Sequence, residues 1–225
     1  MKFAGASIDS LGFVHRYLPA TDPAQRVTIL LLHGTGGDEN DLISFGQAIA
    51  PGAALLSPRG GTTENGAPRF FRRLAEGKFD PAEVRARAAE LAAFIRAAIA
   101  EYRLDAGAIY AVGYSNGANI ASAVMFTDPA LIKGAILFRP MVVLETPSKN
   151  SLAGRSVFIA AGRLDPIVPG DQPERLAEMF RERGASVTLT WEVSGHNLTP
   201  GDIRDAASWL QMQSPPGAAS FSGST

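Results

Sequence analysis

Cysteine is missing from this chain of 225 residues. Without thiols the protein can form no disulfide, use no cysteine nucleophile and build neither a zinc finger nor an iron–sulfur cluster. We expect no metal site, and no motif in the chain indicates a cofactor. Only three histidines are present, so a mechanism that needs an imidazole has few candidates.

Long apolar runs and a surplus of one charge sign are missing as well. No stretch approaches the ~18 uninterrupted apolar residues of a membrane helix, and residues 1–9 hold no apolar run followed by a cleavage site. The formal net charge is −1, which gives nucleic acid no electrostatic attraction. We therefore expect a cytoplasmic protein with no membrane insertion and no nucleic-acid partner.

What the chain does contain is a regular alternation of strand-length apolar runs with longer helical patterns. The runs are apolar on both faces, as buried parallel strands are. They cover residues 27–32, 53–56, 108–112, 134–138, 157–161 and 187–191. Residues 13–18 alternate instead, which predicts an antiparallel edge strand. The alternation predicts an α/β fold with a mainly parallel central sheet and helices on both faces.

Helix start signals precede the helical patterns. Asp80 reads as an N-cap, followed by Pro81 at the first helical position and a reciprocating Glu83. Comparable signals stand at Asp38, Asp171 and Thr199. We predict one domain over residues 1–212 with no large lid insertion, and a disordered small polar tail over residues 213–225. Residues 59–66 read as loop, and the rest of 59–79 has no clear assignment.

The central chemical signal is Gly113–Tyr114–Ser115–Asn116–Gly117. It follows an apolar strand and precedes a helix of small residues, which is the context of a nucleophile elbow. Such a turn projects the serine hydroxyl above a helix N-terminus, where a developing oxyanion is favoured. The alternative is a tight glycine-rich turn without chemistry.

A serine hydroxyl needs a base to act as a nucleophile. His15 lies in the predicted edge strand and reads as structural. His33 ends the first strong strand and opens a glycine-rich loop, which suits a residue that orders an oxyanion loop. His196 follows the last strand, at the carboxyl edge of the sheet, and is therefore the predicted base.

The third catalytic group should be a carboxylate that follows a strand between Ser115 and His196. Asp165 meets this condition directly after the strand over 157–161. Asp171 and Asp128 are rivals, but both have ordinary explanations at helix ends. The order serine, aspartate, histidine is the order of the α/β-hydrolase fold.

Together these motifs resemble the phospholipase/carboxylesterase family of α/β-hydrolases. The resemblance rests on residues 31–39, 113–117, 162–169 and 194–196. Residues 35–39 are closest to the bacterial carboxylesterase branch. The resemblance implies Ser115, Asp165 and His196 as nucleophile, acid and base, and the backbone N–H groups of Thr35 and Asn116 as oxyanion donors. Many relatives have glutamine where this chain has Asn116, a change that leaves the backbone donor in place.

These predictions describe a serine carboxylesterase that hydrolyses small, soluble esters through an acyl-enzyme. The predicted pocket residues are apolar side chains near the strand ends: Phe70, Phe71, Phe138, Met141, Ile167 and Leu198. A thioesterase, lysophospholipase or peptidase on the same fold stays open, as does a catalytically silent binding module. A nucleotide-binding protein is disfavoured because residues 34–37 lack a P-loop lysine. The expected partner is a small-molecule ester, and the sequence leaves a homodimer open.

Overall fold

A seven-stranded sheet forms the centre of the computed structural model, which describes residues 11–145 and 150–213. In chain order the strands are β1 (His15–Leu18), β2 (Thr28–Leu32), β3 (Ala54–Pro58), β4 (Thr62–Glu64), β5 (Ala67–Arg69), β6 (Ile109–Tyr114), β7 (Gly134–Phe138), β8 (Ser156–Gly162) and β9 (Ser186–Glu192). The strand order in the large sheet is β1-β3-β2-β6-β7-β8-β9. All its neighbours pair in parallel except β1, which runs antiparallel to β3 at the edge. The predictions of a mainly parallel sheet and of an antiparallel edge strand are confirmed.

In the described part of the chain, five helices cover the two faces of the sheet. They are α1 (Ile43–Ile49), α2 (Pro81–Tyr102), α3 (Asn116–Thr127), α4 (Gln172–Arg181) and α5 (Pro200–Gln213). Alternate residues of each central strand enter opposite cores, as the period-two geometry of a strand requires. Leu30 and Leu32 of β2 belong to the core that α2, α3 and α4 cover, whereas Ile29 and Leu31 belong to the core that α1 and α5 cover.

The helix start signals have mixed outcomes. Asp80 caps α2 by accepting the backbone N–H of Ala82 at 2.9 Å, as predicted. Asp171 makes no side-chain capping bond to α4, and α1 begins only at Ile43. Proximity in sequence is insufficient here, because a capping oxygen must also reach a free N–H of the first turn.

The segment 59–79, predicted as loop over residues 59–66 and left unassigned beyond them, contains two short strands. β4 and β5 form a separate antiparallel hairpin of two three-residue strands. Strands this short, one of them containing Pro68, carry no readable periodicity. The predicted tail 213–225 lies outside the described residues apart from Gln213, which ends α5. The described residues contain no additional lid domain.

Candidate active site

Ser115 occupies a sharp turn between β6 and α3. Its backbone has φ 53° and ψ −114°, a region that non-glycine residues rarely adopt. The turn is held by two hydrogen bonds: Ser115 N–H donates to Phe138 O at 2.9 Å, and Asn119 N–H donates to Ser115 O at 3.0 Å. A strained serine held at the carboxyl end of a central strand is the geometry that a nucleophile elbow requires.

The glycines two residues on either side of Ser115 are required by close backbone contacts. A Cβ atom on Gly117 would lie 1.9 Å from Leu32 O, and one on Gly113 would lie 2.6 Å from Ala118 N. Real Cβ atoms do not approach so closely. Strand and helix therefore cross at a distance that only glycine permits, which aims the Ser115 side chain away from the sheet.

The structure brings Ser115, His196 and Asp165 together. His196 Nε2 lies 3.0 Å from Ser115 Oγ, and His196 Nδ1 lies 2.8 Å from Asp165 Oδ2. If Nδ1 donates to the carboxylate, Nε2 carries no proton and accepts the serine hydroxyl. The Asp165 side chain is only 1% exposed and that of His196 is 14% exposed.

Asp165 is itself held in orientation by its own loop. Its Oδ1 accepts the backbone N–H groups of Ile167 at 2.8 Å and Val168 at 3.1 Å. The rival carboxylates have other surroundings: Asp128 pairs with Arg96, and Asp171 stands at the start of α4. Among the described residues, Asp165 is the carboxylate that bonds to His196.

The other two histidines, His15 and His33, make hydrogen bonds that hold the fold together. His15 lies in β1 with one ring nitrogen 2.9 Å from Phe13 O and the other 2.7 Å from Tyr102 Oη. His33 lies at the start of the glycine-rich loop, where its Nε2 accepts Gly60 N–H at 2.9 Å. Its Nδ1 is therefore the protonated nitrogen and donates to Gly34 O at 2.7 Å. Burial lowers the pKa of His33, against weaker opposing effects of the Gly34 hydrogen bond and three nearby carboxylates.

The predicted oxyanion donors lie beside Ser115. Asn116 is the first residue of α3, so its N–H has no acceptor within the helix. Thr35 is exposed and borders the same cavity as Ser115. In the described part of the chain its N–H has no acceptor, while the next two N–H groups bond to Pro68 O and Gly34 O. Both donors are thus available to an oxyanion.

The Asn116 side chain connects the elbow to the hairpin. Its Oδ1 accepts the backbone N–H of Phe70 at 2.7 Å. The Nδ2 of Asn116 is buried without a hydrogen-bond partner among the described residues. The bond fixes the segment after β5 against the start of α3, a link that the sequence did not reveal because its partners lie 46 residues apart.

A cavity of about 280 Å³ opens above Ser115. Of the six predicted pocket residues, only Met141 and Ile167 border it. The prediction is wrong for the other four. Phe70, Phe71 and Phe138 are buried in the two hydrophobic cores, and Leu198 packs against the second core. These four side chains pack in or against the cores because a core removes more of their apolar area from water than an open cavity would.

The cavity wall is more polar than predicted. Besides Ser115 and His196 it includes Arg69, Arg73, Glu76, Phe79, Tyr114 and Asn119. Glu64 joins the two arginines, 2.8 Å from Arg73 Nε and 3.3 Å from Arg69 Nη1. Arg69, Arg73, Glu76 and Phe79 were not predicted because they lie in or after the hairpin, which the sequence did not indicate.

Tyr114, between Gly113 and Ser115, also contacts the base. Its hydroxyl donates to His196 O at 3.2 Å, and the two ring centroids are 5.3 Å apart. Burial raises the pKa of Tyr114. The hydroxyl therefore stays protonated and keeps this donor across the neutral pH range.

Two kinds of feature are not found in the described residues. No three His, Asp or Glu side chains come together as metal ligands. None of the described helices combines the length and apolar character needed to cross a membrane.

Comparison with known proteins adds independent information. A family profile described as Phospholipase/Carboxylesterase matches residues 18–214. The chain is 45% identical over 183 residues to the putative hydrolase MhqD of Bacillus subtilis, covering 81% of this chain and 92% of the relative. The crystal structure of the Bacillus cereus carboxylesterase is 44% identical, with a TM-score of 0.85 over 88% of this chain and 92% of that one. The carboxylesterase of Mesorhizobium loti is 32% identical, with a TM-score of 0.87 over 93% of this chain and 99% of that one.

Proposed function

We propose a serine mechanism for this chain, which belongs to the phospholipase/carboxylesterase family of α/β-hydrolases and is a carboxylic ester hydrolase. The proposed mechanism uses a serine nucleophile and passes through an acyl-enzyme. The observation that carries the proposal is the pair of hydrogen-bond distances at His196, 3.0 Å to Ser115 and 2.8 Å to Asp165. An imidazole so connected can remove a proton on one side while its other nitrogen is held by a carboxylate.

In the first half-reaction Ser115 Oγ attacks the carbonyl carbon of the ester while His196 Nε2 takes the hydroxyl proton. The carbonyl oxygen becomes an oxyanion and accepts the N–H groups of Thr35 and Asn116, each worth roughly 3 kcal/mol in the transition state. His196 then gives its proton to the leaving alkoxide oxygen as the bond to carbon breaks. The alcohol departs, and the acyl group stays on Ser115.

In the second half-reaction a water molecule attacks the acyl carbonyl while His196 takes one of its protons. The tetrahedral intermediate collapses, and His196 returns the proton to Ser115 Oγ as the acid leaves. Asp165 stabilises the imidazolium in both halves without being protonated. The positive end of α3 favours the oxyanion in each intermediate.

Small, polar esters are the proposed substrates. The cavity beside Ser115 is about 280 Å³, and much of its wall is charged or polar, including Arg69, Arg73 and Glu76. A long acyl chain would desolvate these side chains without giving them partners, which costs free energy. The same wall argues against a lysophospholipase with a long-chain substrate.

The test is a chain-length series of aryl esters, from acetate to dodecanoate, with the wild type and Ser115→Ala. We expect the highest kcat/KM at the short end, and a loss of about four to six decades in kcat on Ser115→Ala. Hydrolysis that survives Ser115→Ala would overturn the serine mechanism. A kcat/KM that increases steadily up to dodecanoate would contradict the proposal that the substrates are small esters.

Four further points need their own tests: the choice between esterase and thioesterase, the predicted cytoplasmic location, and the homodimer and silent binding module that the sequence leaves open. Matched oxygen and thioester substrates would separate an esterase from a thioesterase. Cell fractionation would test the cytoplasmic location, and sedimentation would test the homodimer. Complete inactivity toward activated esters, with no acyl-enzyme burst, would favour the silent binding module.

A further inference from the structure

A buried arginine lies directly behind the candidate base. Arg139 follows β7, and its side chain and that of its partner Asp202 are both 0% exposed. Its backbone φ is 54°, in the left-handed region that non-glycine residues rarely adopt. A guanidinium removed from water is costly unless its donors are satisfied. The contacts of Arg139 must therefore compensate both the burial of its charge and its backbone strain.

The guanidinium bonds to the loop that carries His196. Its Nε donates to Gly195 O at 3.1 Å, and its Nη2 donates to Ser194 Oγ and to Asn197 O, both at 3.0 Å. All three acceptors lie within two residues of His196. The planar fork of an arginine can hold several such acceptors at once, whereas a lysine ammonium cannot match that geometry.

Asp202 supports the same loop from its far side. It accepts Arg139 at both carboxylate oxygens, Oδ1 at 3.0 Å and Oδ2 at 2.7 Å. The same Oδ2 accepts the N–H of Thr199 at 2.8 Å, and Thr199 Oγ1 accepts the N–H of Asp202 at 3.1 Å. This reciprocal cap starts α5 at the point where the histidine loop ends.

The residue pair 138–139 also reaches the nucleophile. Phe138 O accepts the N–H of Ser115 at 2.9 Å, and the next residue, Arg139, donates its own N–H to Ala160 O at 2.8 Å. Residues 138 and 139 therefore contact the turn at Ser115, the strand β8 that leads to Asp165, and the loop that carries His196. A movement of these two residues would change the distance from His196 Nε2 to Ser115 Oγ.

We infer that Arg139, backed by Asp202, is the positioning residue of the site: its guanidinium fixes the loop 194–197 so that His196 stays in line with Ser115. The inference rests on the proposed serine mechanism. It assigns no contact with substrate to Arg139, so loss of its fork should slow attack by Ser115 and leave substrate binding largely intact.

Two variants separate positioning from folding. Arg139→Lys keeps a positive charge beside Asp202 but loses the fork. The double variant Arg139→Met with Asp202→Leu removes both charges, a replacement that buried ion pairs often tolerate. Arg96→Lys is the matched control, because Arg96 forms an ion pair with Asp128 away from His196. Urea unfolding identifies the variants that fold cooperatively.

The first readout is the rate at which a fluorophosphonate labels Ser115, together with kcat and KM on an aryl acetate. In a folded variant we expect labelling and kcat to fall about 100-fold, the cost of a displacement of ~1 Å, with KM nearly unchanged. The control should match the wild type. Labelling of folded Arg139→Lys or of the folded double variant at the wild-type rate would overturn the inference.

The second readout does not need catalysis. The Nδ1 proton of His196, shared with Asp165, should give a low-field proton resonance in the wild type that disappears in Asp165→Asn. We expect it to broaden or disappear in Arg139→Lys. An unchanged resonance there would contradict the inference. A wild type that fluorophosphonate never labels would instead overturn the proposed function, and this resonance would still decide the role of Arg139.

Discussion

At the scale of single residues, the site depends on two residues whose backbone conformations are rare for non-glycine residues. Ser115 and Arg139 both have positive φ, at 53° and 54°. The surrounding structure fixes each with a backbone hydrogen bond, Ser115 beside the cavity and Arg139 behind His196. Ser115 could be predicted because its two glycines are visible in the sequence. Arg139 could not, because its partners lie 21 to 63 residues away.

The role of Asp165 gives a prediction at this scale. Asp165→Asn should lower kcat about 10⁴-fold, because an amide can stabilise the wrong imidazole tautomer and cannot stabilise the imidazolium. Steady-state hydrolysis of an aryl acetate measures the effect. Asp171→Asn is the control and should retain wild-type kcat. Equal losses in the two variants would contradict the assignment of Asp165.

At the scale of elements, the loops after the strands determine where each group lies. The loops that carry Asp165 and His196 contact each other through backbone: Leu164 N–H donates to Ser194 O at 3.0 Å. Gly162 lies under this contact, where a Cβ atom would be 2.4 Å from Gly195 O. The loops were placed correctly from the sequence because each follows an apolar strand. How the two loops pack against each other could not be predicted, because it depends on contacts between segments about 30 residues apart.

The contact at Gly162 gives a prediction for these loops. Gly162→Ala should displace the loop that carries His196 and reduce kcat by about 10², with a smaller effect on KM. Gly170→Ala is the matched control, because a Cβ atom there would meet nothing within 4 Å. Kinetics of the two purified variants on one short aryl ester test this. A Gly162→Ala enzyme with wild-type kcat would show that the loop tolerates the added methyl group.

The oxyanion loop gives a prediction about pH. Because burial lowers the pKa of His33 in the folded state, only the unfolded chain takes up a proton as pH falls below about 6.5. The stabilising contribution of neutral His33 is complete above that pH and is lost on acidification toward its folded-state pKa. Urea unfolding at several pH values should therefore show a free energy of unfolding that falls below pH ~6.5.

The variant His33→Gln tests whether His33 causes this fall. Glutamine can accept Gly60 N–H but does not titrate, so the fall should be smaller in the variant. His15 and His196 are present in both proteins and cancel in the comparison. Parallel pH profiles for wild type and variant would contradict the assignment to His33.

At the scale of the whole molecule, the sheet brings distant residues to one edge. Ser115, Asp165 and His196 follow β6, β8 and β9, all parallel, and the carboxyl ends of parallel strands share one edge. The parallel direction of these strands could therefore be predicted from the apolar runs, whereas their order in the sheet could not. The polar part of the cavity wall could not be predicted either, because the hairpin β4–β5 is too short to show a period and Arg69 and Arg73 reach the cavity only through tertiary contacts.

The most direct test of the central claim is the intact mass and peptide map of the protein after reaction with diethyl p-nitrophenyl phosphate. We expect one diethylphosphoryl group per chain, on Ser115, with loss of esterase activity in step with labelling and no adduct in Ser115→Ala. An adduct on a different residue, or full esterase activity in a chain phosphorylated on Ser115, would contradict it.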